Sequence, residues 1–262
     1  MRCVVIDVGN TSTGVGLWDS GRVSRVSHIR GGILKRPDAC AAAVRKAAGE
    51  AADGAVLGSV VPRVNALWSR LVRQETGCGT LRVKAGLRMG VTIDYPEPER
   101  VGADRLADAC GGVRRYGAPL LVADFGTALT FDIIMPDRRY VGGVIAPGLP
   151  LMTDYLYERT ALLPRVDLKG PCPKIGRSTR QAMRIGAQIG YRGIVREIAS
   201  YLRRQTGVDF RLVATGGYAG WALKGSGMDF TVDPELTLFG LGCIFESNTG
   251  ISLALPNNKN TK

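Results

Sequence analysis

The sequence predicts an α/β protein built from two domains of similar topology. Three observations carry this. First, a motif occurs twice: an apolar run ends in Asp, skips one residue, and meets Gly and a Thr-bearing turn. Cys3-Val-Val-Ile-Asp7-Val-Gly9-Asn-Thr11 matches Leu121-Val-Ala-Asp124-Phe-Gly126-Thr127, and the two Asp are 117 residues apart. Self-similarity at long range outranks local signals in choosing a fold. Second, strand-like and helix-like runs alternate along the chain. Third, 262 residues suffice for two cores, and 45% hydrophobic with 22% charged residues is a folded composition.

The elements follow in order. Cys3–Asp7 and Thr13–Trp18 read as strands around a Gly-containing turn, and Asp19-Ser-Gly21 turns the chain into a third, Val23–Ile29. The Ala-rich stretch 38–52 favours helix. Ala55–Val61 is a buried strand that stops at Pro62, which opens a helix with Val64, Leu67, Trp68, Leu71 and Val72 on one face. Gly77-Cys-Gly79 ends that helix before a strand over Thr80–Ala85. Tyr95-Pro-Glu-Pro-Glu-Arg100 is a stiff extended loop, and a helix runs from Ala103 to Tyr116. The pattern then restarts: strands at Leu120–Asp124, Leu129–Ile134 and Tyr140–Pro147, helices at 150–158 and 179–205, a strand at Arg211–Thr215, a tight Gly216-Gly217 turn, a short helix at 219–223 and an apolar helix over 234–246. The expected division is 1–117 and 118–255, hinged near 116–119 with a cleft between, and a frayed tail at 256–262.

Composition narrows the chemistry. No apolar run approaches the ~20 residues that span a bilayer, and the N-terminus lacks the apolar core of a signal peptide, so a cytoplasmic protein without membrane partners is expected. The six cysteines are scattered, with no CxxC and no neighbouring His, which fits free thiols rather than a zinc site. His28, the single histidine, lies in the loop-like stretch RVSHIRGG and carries no assignable role. Acid–base work therefore falls on carboxylates. The net charge of +12 favours anionic partners. Seven Arg between Arg177 and Arg204 face only Glu197, as a solvated helix face or, less readily, a nucleic-acid surface.

Asp7, Val8, Gly9, Asn10, Thr11, Ser12, Thr13 and Gly14 have the character of a phosphate loop. Gly lets successive N–H groups point inward, and Asn and Thr add neutral donors. Asp7 cannot bind phosphate directly but can hold Mg²⁺ through water. The duplicate at Asp124, Gly126 and Thr127 strengthens this reading, and Gly216-Gly217 lets backbone lie flat against a nucleotide. Gly102-Ala103-Asp104-Arg105 places a carboxylate and a planar cation at a helix start, where the dipole keeps Asp104 ionised. Such a pair suits proton removal from a hydroxyl and anchoring of an anionic acceptor. A plain N-cap with a surface ion pair would look the same.

In this order, DVGNTST, YPEPERVGADRLADACGG, VADFGTALTFDII, YVGGVIAPGLPLM, STRQAMRIGAQIG, ATGGYA and LTLFGLGCIFESN make the chain, from residue 3 to about 248, resemble type III pantothenate kinase. The resemblance implies two duplicated ribonuclease H-like (actin-like ATPase) domains of the acetate kinase/sugar kinase/Hsp70/actin superfamily. It also implies ATP-dependent phosphorylation of the pantothenate 4′-hydroxyl, the first step of coenzyme A synthesis. On this analogy Asp104 accepts the proton, and Tyr95, Gly102 to Arg105 and Thr179 contact pantothenate. The loop from Asp7 to Gly14, with Gly126, Thr127, Gly216 and Gly217, holds ATP with Mg²⁺. Asp124 binds K⁺ or NH₄⁺, and the chain forms a homodimer. Two alternatives remain open: a kinase of the same superfamily with another small acceptor, and a transcriptional accessory or nucleic-acid-binding protein on the same fold.

Overall fold

A computed structural model describes residues 1–49, 51–168 and 170–249. Residues 250–255 of the expected second domain, and the tail expected at 256–262, lie outside the described residues. In chain order the elements are β1 (Arg2–Val8), β2 (Ser12–Asp19), β3 (Arg22–Arg30), α1 (Gly32–Lys35), α2 (Pro37–Ala48), β4 (Gly54–Ser59), α3 (Asn65–Thr76), β5 (Thr80–Arg82), β6 (Thr92–Ile93) and α4 (Ala103–Tyr116). There follow β7 (Leu120–Phe125), β8 (Ala128–Ile134), β9 (Arg139–Pro147), α5 (Leu149–Arg159), α6 (Thr179–Ile185), α7 (Tyr191–Thr206), β10 (Arg211–Thr215), α8 (Ala219–Leu223), β11 (Thr231–Val232) and α9 (Leu236–Asn248).

The chain divides into two compact units. Unit 1 comprises Met1–Thr92, Pro96–Arg114 and Glu235 onward; unit 2 comprises Ile93–Tyr95 and Arg115–Pro234. The first sheet has the order β3-β2-β1-β4-β5. β1 is antiparallel to β2 and parallel to β4. The second sheet contains β9-β8-β7-β10-β11, with short β6 at its edge. Its β7 is antiparallel to β8 and parallel to β10. The same strand order and senses recur in both units, so the duplicated ribonuclease H-like architecture stands.

In unit 1, alternation along β1 sorts the two faces. Val4, Ile6 and Val8 join Val15, Ile29 and Leu57 beneath α2 and α3, packed on Trp68 and Val72. The other face is paved with glycine so that α9 can settle close. A Cβ on Gly58 would stand 2.8 Å from Leu241, one on Gly54 2.7 Å from Phe245, and one on Gly242 would strike the Trp18 ring. Trp18 and Phe239 add an edge-to-face pair at 5.1 Å. On its other side α9 meets α4, where a Cβ on Gly240 would collide with the Ala107 carbonyl. A helix apolar all round is thus buried all round.

That packing explains why the division differs from the contiguous 1–117 and 118–255 expected from the sequence: the last helix returns to unit 1. One further difference is local: β5 ends at Arg82, three residues before the expected Ala85. The expected third strand Val23–Ile29 is β3, one residue longer at each end, and it carries His28 opposite Gly14 although the stretch around His28 also reads as loop-like.

The core of unit 2 joins Leu121, Ala123, Phe125 and Phe131 to Tyr191, Val195, Ala199 and Leu202 of α7. The helix expected at 179–205 runs from α6 into α7 through a π-helical turn over Gly186–Gly190. Among the described residues no helix is long and apolar enough to cross a membrane.

Candidate active site

In unit 1 the first of the two expected phosphate loops is the turn from β1 into β2. Gly9 N–H donates to Ser12 O at 3.0 Å, which leaves Asn10, Thr11 and Ser12 exposed at the tip. Asp7 is half-buried and pairs in register with Gly14 on one side and Gly58 on the other. Cross-strand partners share a face, so the Asp7 carboxylate stands between two residues without side chains. Val8 and Thr13, paired with each other, are buried, and Val8 lies in the core beneath α2 and α3. Of the candidate residues, these two can therefore offer a ligand only backbone: the pleat turns their side chains into the core.

The Gly102–Arg105 segment meets this loop within the same unit. Val60 N–H donates to Val8 O at 3.1 Å, and a Cβ on Gly102 would lie 3.4 Å from Val60 Cγ1. One residue at the end of β4 thus touches both segments. Gly102 opens α4, its carbonyl accepting Leu106 N–H at 3.1 Å. The half-buried Asp104 side chain folds back over Gly102, where a Cβ would strike Oδ1. That oxygen accepts Arg105 N–H at 2.8 Å. Burial pushes the Asp104 carboxyl above the usual carboxylate range, while the Arg105 N–H and guanidinium pull it down. Desolvation outweighs the helix start that the sequence expectation relied on. A raised carboxyl is a better proton acceptor near neutrality, and such displacements gather at functional sites.

In unit 2 the second loop repeats the first in tighter form. Gly126 N–H donates to Ala128 O at 3.0 Å. A Cβ on Gly126 would lie 3.7 Å from Asp124 Oδ1, and one on Gly216 would strike that oxygen and crowd the Phe125 backbone at 2.7 Å. Gly216 has φ +87°. Tyr218 N–H then donates to Phe125 O at 3.1 Å, so the turn after β10 is sewn to the end of β7. Gly217 is exposed, with open space around its Cα. Asp124, Gly126, Thr127, Gly216 and Gly217 form one cluster, with Gly148 at the start of α5 as an unforeseen member: a Cβ there would collide with the Gly126 and Thr127 carbonyls.

Tyr95 stands apart from that cluster, and no contact joins Thr179 to it among the described residues. Tyr95 lies on β9 over Gly142, whose absent side chain would sit 3.1 Å from its ring, with Tyr140 at 6.5 Å. Gly142 pairs with Ile133, whereas the Gly126–Thr127 turn adjoins the other end of the β8–β9 pair, where Ala128 meets Pro147. Thr179 is exposed at the first turn of α6, whose cap is Ser178 Oγ accepting Gln181 N–H at 3.3 Å. Sequence reasoning singled out none of Gly58, Val60, Gly142 and Gly148 as a site contact, although Gly142 and Gly148 lie within the motif YVGGVIAPGLPLM. Gly58 and Gly142 are placed by strand register, and Val60 and Gly148 by the turns that follow β4 and β9, none of which a single sequence displays.

Among the described residues no group of three or more His, Cys, Asp or Glu is placed to hold a metal. Asp7 and Asp124 are single carboxylates flanked by glycine. That arrangement fits a cation that keeps water and phosphate as its other ligands, as Mg²⁺ does, rather than an all-protein cage.

Comparison with known proteins gives this geometry a family. The family model described as type III pantothenate kinase matches residues 3–201. A type III pantothenate kinase of Akkermansia muciniphila is 50% identical over 195 residues, covering 74% of this chain and 78% of the relative. One from Geobacillus sp. (strain WCH70) is 35% identical over 250 residues, covering 93% and 97%. A solved structure from Campylobacter jejuni, described as a Baf family transcriptional activator, superposes with TM-score 0.61 at 16% identity, covering 94% of this chain and 99% of that one. At that identity the last likeness carries the fold alone. The repeated Asp-x-Gly turns, the aspartate at the start of α4 and, decisively, matches along most of the sequence converge on one statement: this chain belongs to the type III pantothenate kinase family.

Proposed function

We infer that the chain transfers the γ-phosphoryl group of ATP to the 4′-hydroxyl of pantothenate, the opening step of coenzyme A synthesis in the cytoplasm. The observation that carries this reading is the placement of Asp104: a half-buried carboxyl folded over Gly102 beside a guanidinium and joined through Val60 to the Asp7 loop, where burial raises its proton affinity. Asp104 takes the hydroxyl proton as the oxygen attacks phosphorus. Arg105 meets the pantothenate carboxylate, with Gly102 and Ala103 shaping the approach; Tyr95 and Thr179 are further pantothenate contacts. The exposed donors of Asn10, Thr11 and Ser12 and the N–H groups of the loop face the phosphates. In unit 2, Gly126, Thr127, Gly216 and Gly217 serve ATP through backbone. Mg²⁺ near Asp7 and K⁺ or NH₄⁺ near Asp124 supply positive charge that offsets the triphosphate.

A homodimer belongs to the same proposal. Exposed apolar side chains cluster in sequence from the end of β9 to the π-turn: Ile145 at 66%, Leu162 at 90%, Ile175 at 71% and Ile189 at 57% exposure, with Tyr155 and Tyr157 on α5. Monomers rarely leave so much apolar surface in water, and a second copy of the chain is the occupant proposed. The nucleic-acid alternative loses its main support, because five of the seven Arg in 177–204 are engaged. Arg180, Arg184, Arg192 and Arg203 donate to backbone carbonyls, and Arg204 to Glu197.

The test is ATP turnover with and without pantothenate, in K⁺ and in Na⁺. Pantothenate-dependent ADP release that needs K⁺ or NH₄⁺ is expected, and Asp124→Asn should abolish the cation response. Turnover with a different acceptor from a panel of small acids and sugars would replace pantothenate. No turnover with steeply salt-dependent DNA binding would replace the enzyme reading altogether.

A further inference from the structure

The face of the first sheet that carries Asp7 extends past Gly14 onto β3. The register pairs Asp7 with Gly14 and Gly14 with His28, and one step further it pairs Ser12 with Arg30. Partners across antiparallel strands share a face, and residues two apart on a strand share it as well. Asp7, Ser12, Gly14, His28 and Arg30 therefore stand on one side of the sheet. Side-chain contact supports the same placement: a Cβ on Gly14 would lie 3.7 Å from His28 Nδ1 and 3.8 Å from Cε1. Because position 14 has no side chain, the imidazole leans over it toward the Asp7 row. Leu238 of α9 closes the same space from above, 3.5 Å from that Cβ position.

The end of β3 is fixed to the phosphate loop. Gly31 N–H donates to Thr11 O at 3.0 Å, with Gly31 at φ +83°. Arg30, the residue before, is thereby held beside the exposed tip Asn10–Ser12. Both Arg30 and His28 are exposed, and among the described residues neither has an ion-pair partner or side-chain hydrogen bond, whereas most of the Arg in 177–204 are engaged.

We propose that Arg30 and His28 are further nucleotide-positioning residues: a cationic flank on β3 that contacts the terminal phosphates of ATP held by the Asp7–Gly14 loop. This rests on reading that loop as the ATP site. Its chemistry complements the loop. Asp7 brings negative charge, the tip brings neutral donors, and the loop itself holds no cationic side chain to face a triphosphate. A guanidinium fork suits two phosphate oxygens at once, and an imidazole N–H adds one donor. The acceptor side already has Arg105, so the β3 flank should act on the nucleotide and leave pantothenate alone.

The test compares Arg30→Gln, His28→Gln, the double variant and Arg30→Lys with wild type. Two readings are needed: direct titration with ATP and with ADP in the absence of pantothenate, and separate KM values for ATP and pantothenate. We expect the ATP Kd and KM to rise about tenfold for Arg30→Gln and a few-fold for His28→Gln, with the pantothenate KM and kcat within about twofold. Arg30→Lys should recover part of the loss, and the steep rise of wild-type ATP KM with salt should flatten in the double variant. Unchanged ATP Kd and KM in the double variant would overturn the proposal, as would a rise confined to pantothenate, or equal rises in both KM values with a lowered Tm. If wild type binds ATP but does not phosphorylate pantothenate, the acceptor assignment fails while the titrations still judge Arg30 and His28. If wild type binds no ATP, both fall.

Discussion

Asp104 pays for its reactivity in stability, and the sign can be worked through. Its folded-state proton affinity is raised, so its contribution to stability is full below the unfolded-state pKa and is lost as pH rises through the folded one. Asp104→Asn removes a charge that burial disfavours. It should lower kcat by about 10²–10⁴, yet leave Tm at neutral pH equal to wild type or higher. In wild type kcat/KM should fall as pH drops through the displaced Asp104 value, above the usual carboxylate range, and the residual activity of the Asn variant should lack that limb. Thermal melts and a pH–rate profile check both; an active, folded Asn variant would remove Asp104 from the reaction. Gly216 is bound by geometry instead. Its φ of +87° and the collision a Cβ would make with Asp124 predict that Gly216→Ala costs about 2–4 kcal/mol, measured by urea unfolding. At this scale the sequence displayed chemistry but not direction. Asp7, Asp104 and Asp124 drew attention because each stands one residue from a Gly at a strand or helix end, and two of them repeat the same motif. The inward turn of Thr13 was not legible, and neither was the face of β3 on which His28 stands, since both depend on pairing partners.

Among the elements, those with strong apolar runs were easiest to read. β1, β7 and α4 all have long apolar or amphipathic stretches bounded by Gly, Pro or Asp. β3 was legible as well, to within one residue at each end of Val23–Ile29, although the Ser, His and Arg at its close also read as loop-like. α9 was legible as a helix but not in its placement, because a helix apolar on every side names no preferred neighbour. α7 shows what happens to charge at this scale. Arg192 Nε donates to Ala222 O at 2.9 Å, Nη2 to Lys224 O at 2.9 Å, and the guanidinium lies 5.8 Å from the Trp221 ring centre. It caps the C-terminus of α8 rather than facing solvent. Arg192→Ala should therefore lower unfolding free energy by about 1–2 kcal/mol, read by denaturant titration, with kcat retained. A stability equal to wild type would return Arg192 to the solvated face the sequence suggested.

For the molecule as a whole, the apolar surface between Ile145 and Ile189 yields the prediction. Sedimentation at micromolar concentration should give twice the chain mass, and Leu162→Asp with Ile189→Asp should reduce it to one chain; a wild-type monomer would reject the dimer. The duplication was visible because its two signature turns survive in sequence. The exchange of the final helix was not, since chain order says nothing about which sheet a terminal segment will cover. That exchange sets a rule for anyone dividing the gene. A fragment stopping at residue 117 would make a five-stranded sheet with its glycine-paved side bare, an adhesive surface in water. A permuted chain that begins at Glu235, runs through a linker into Met1 and ends at Pro234 would instead synthesise the first half together with its own cover.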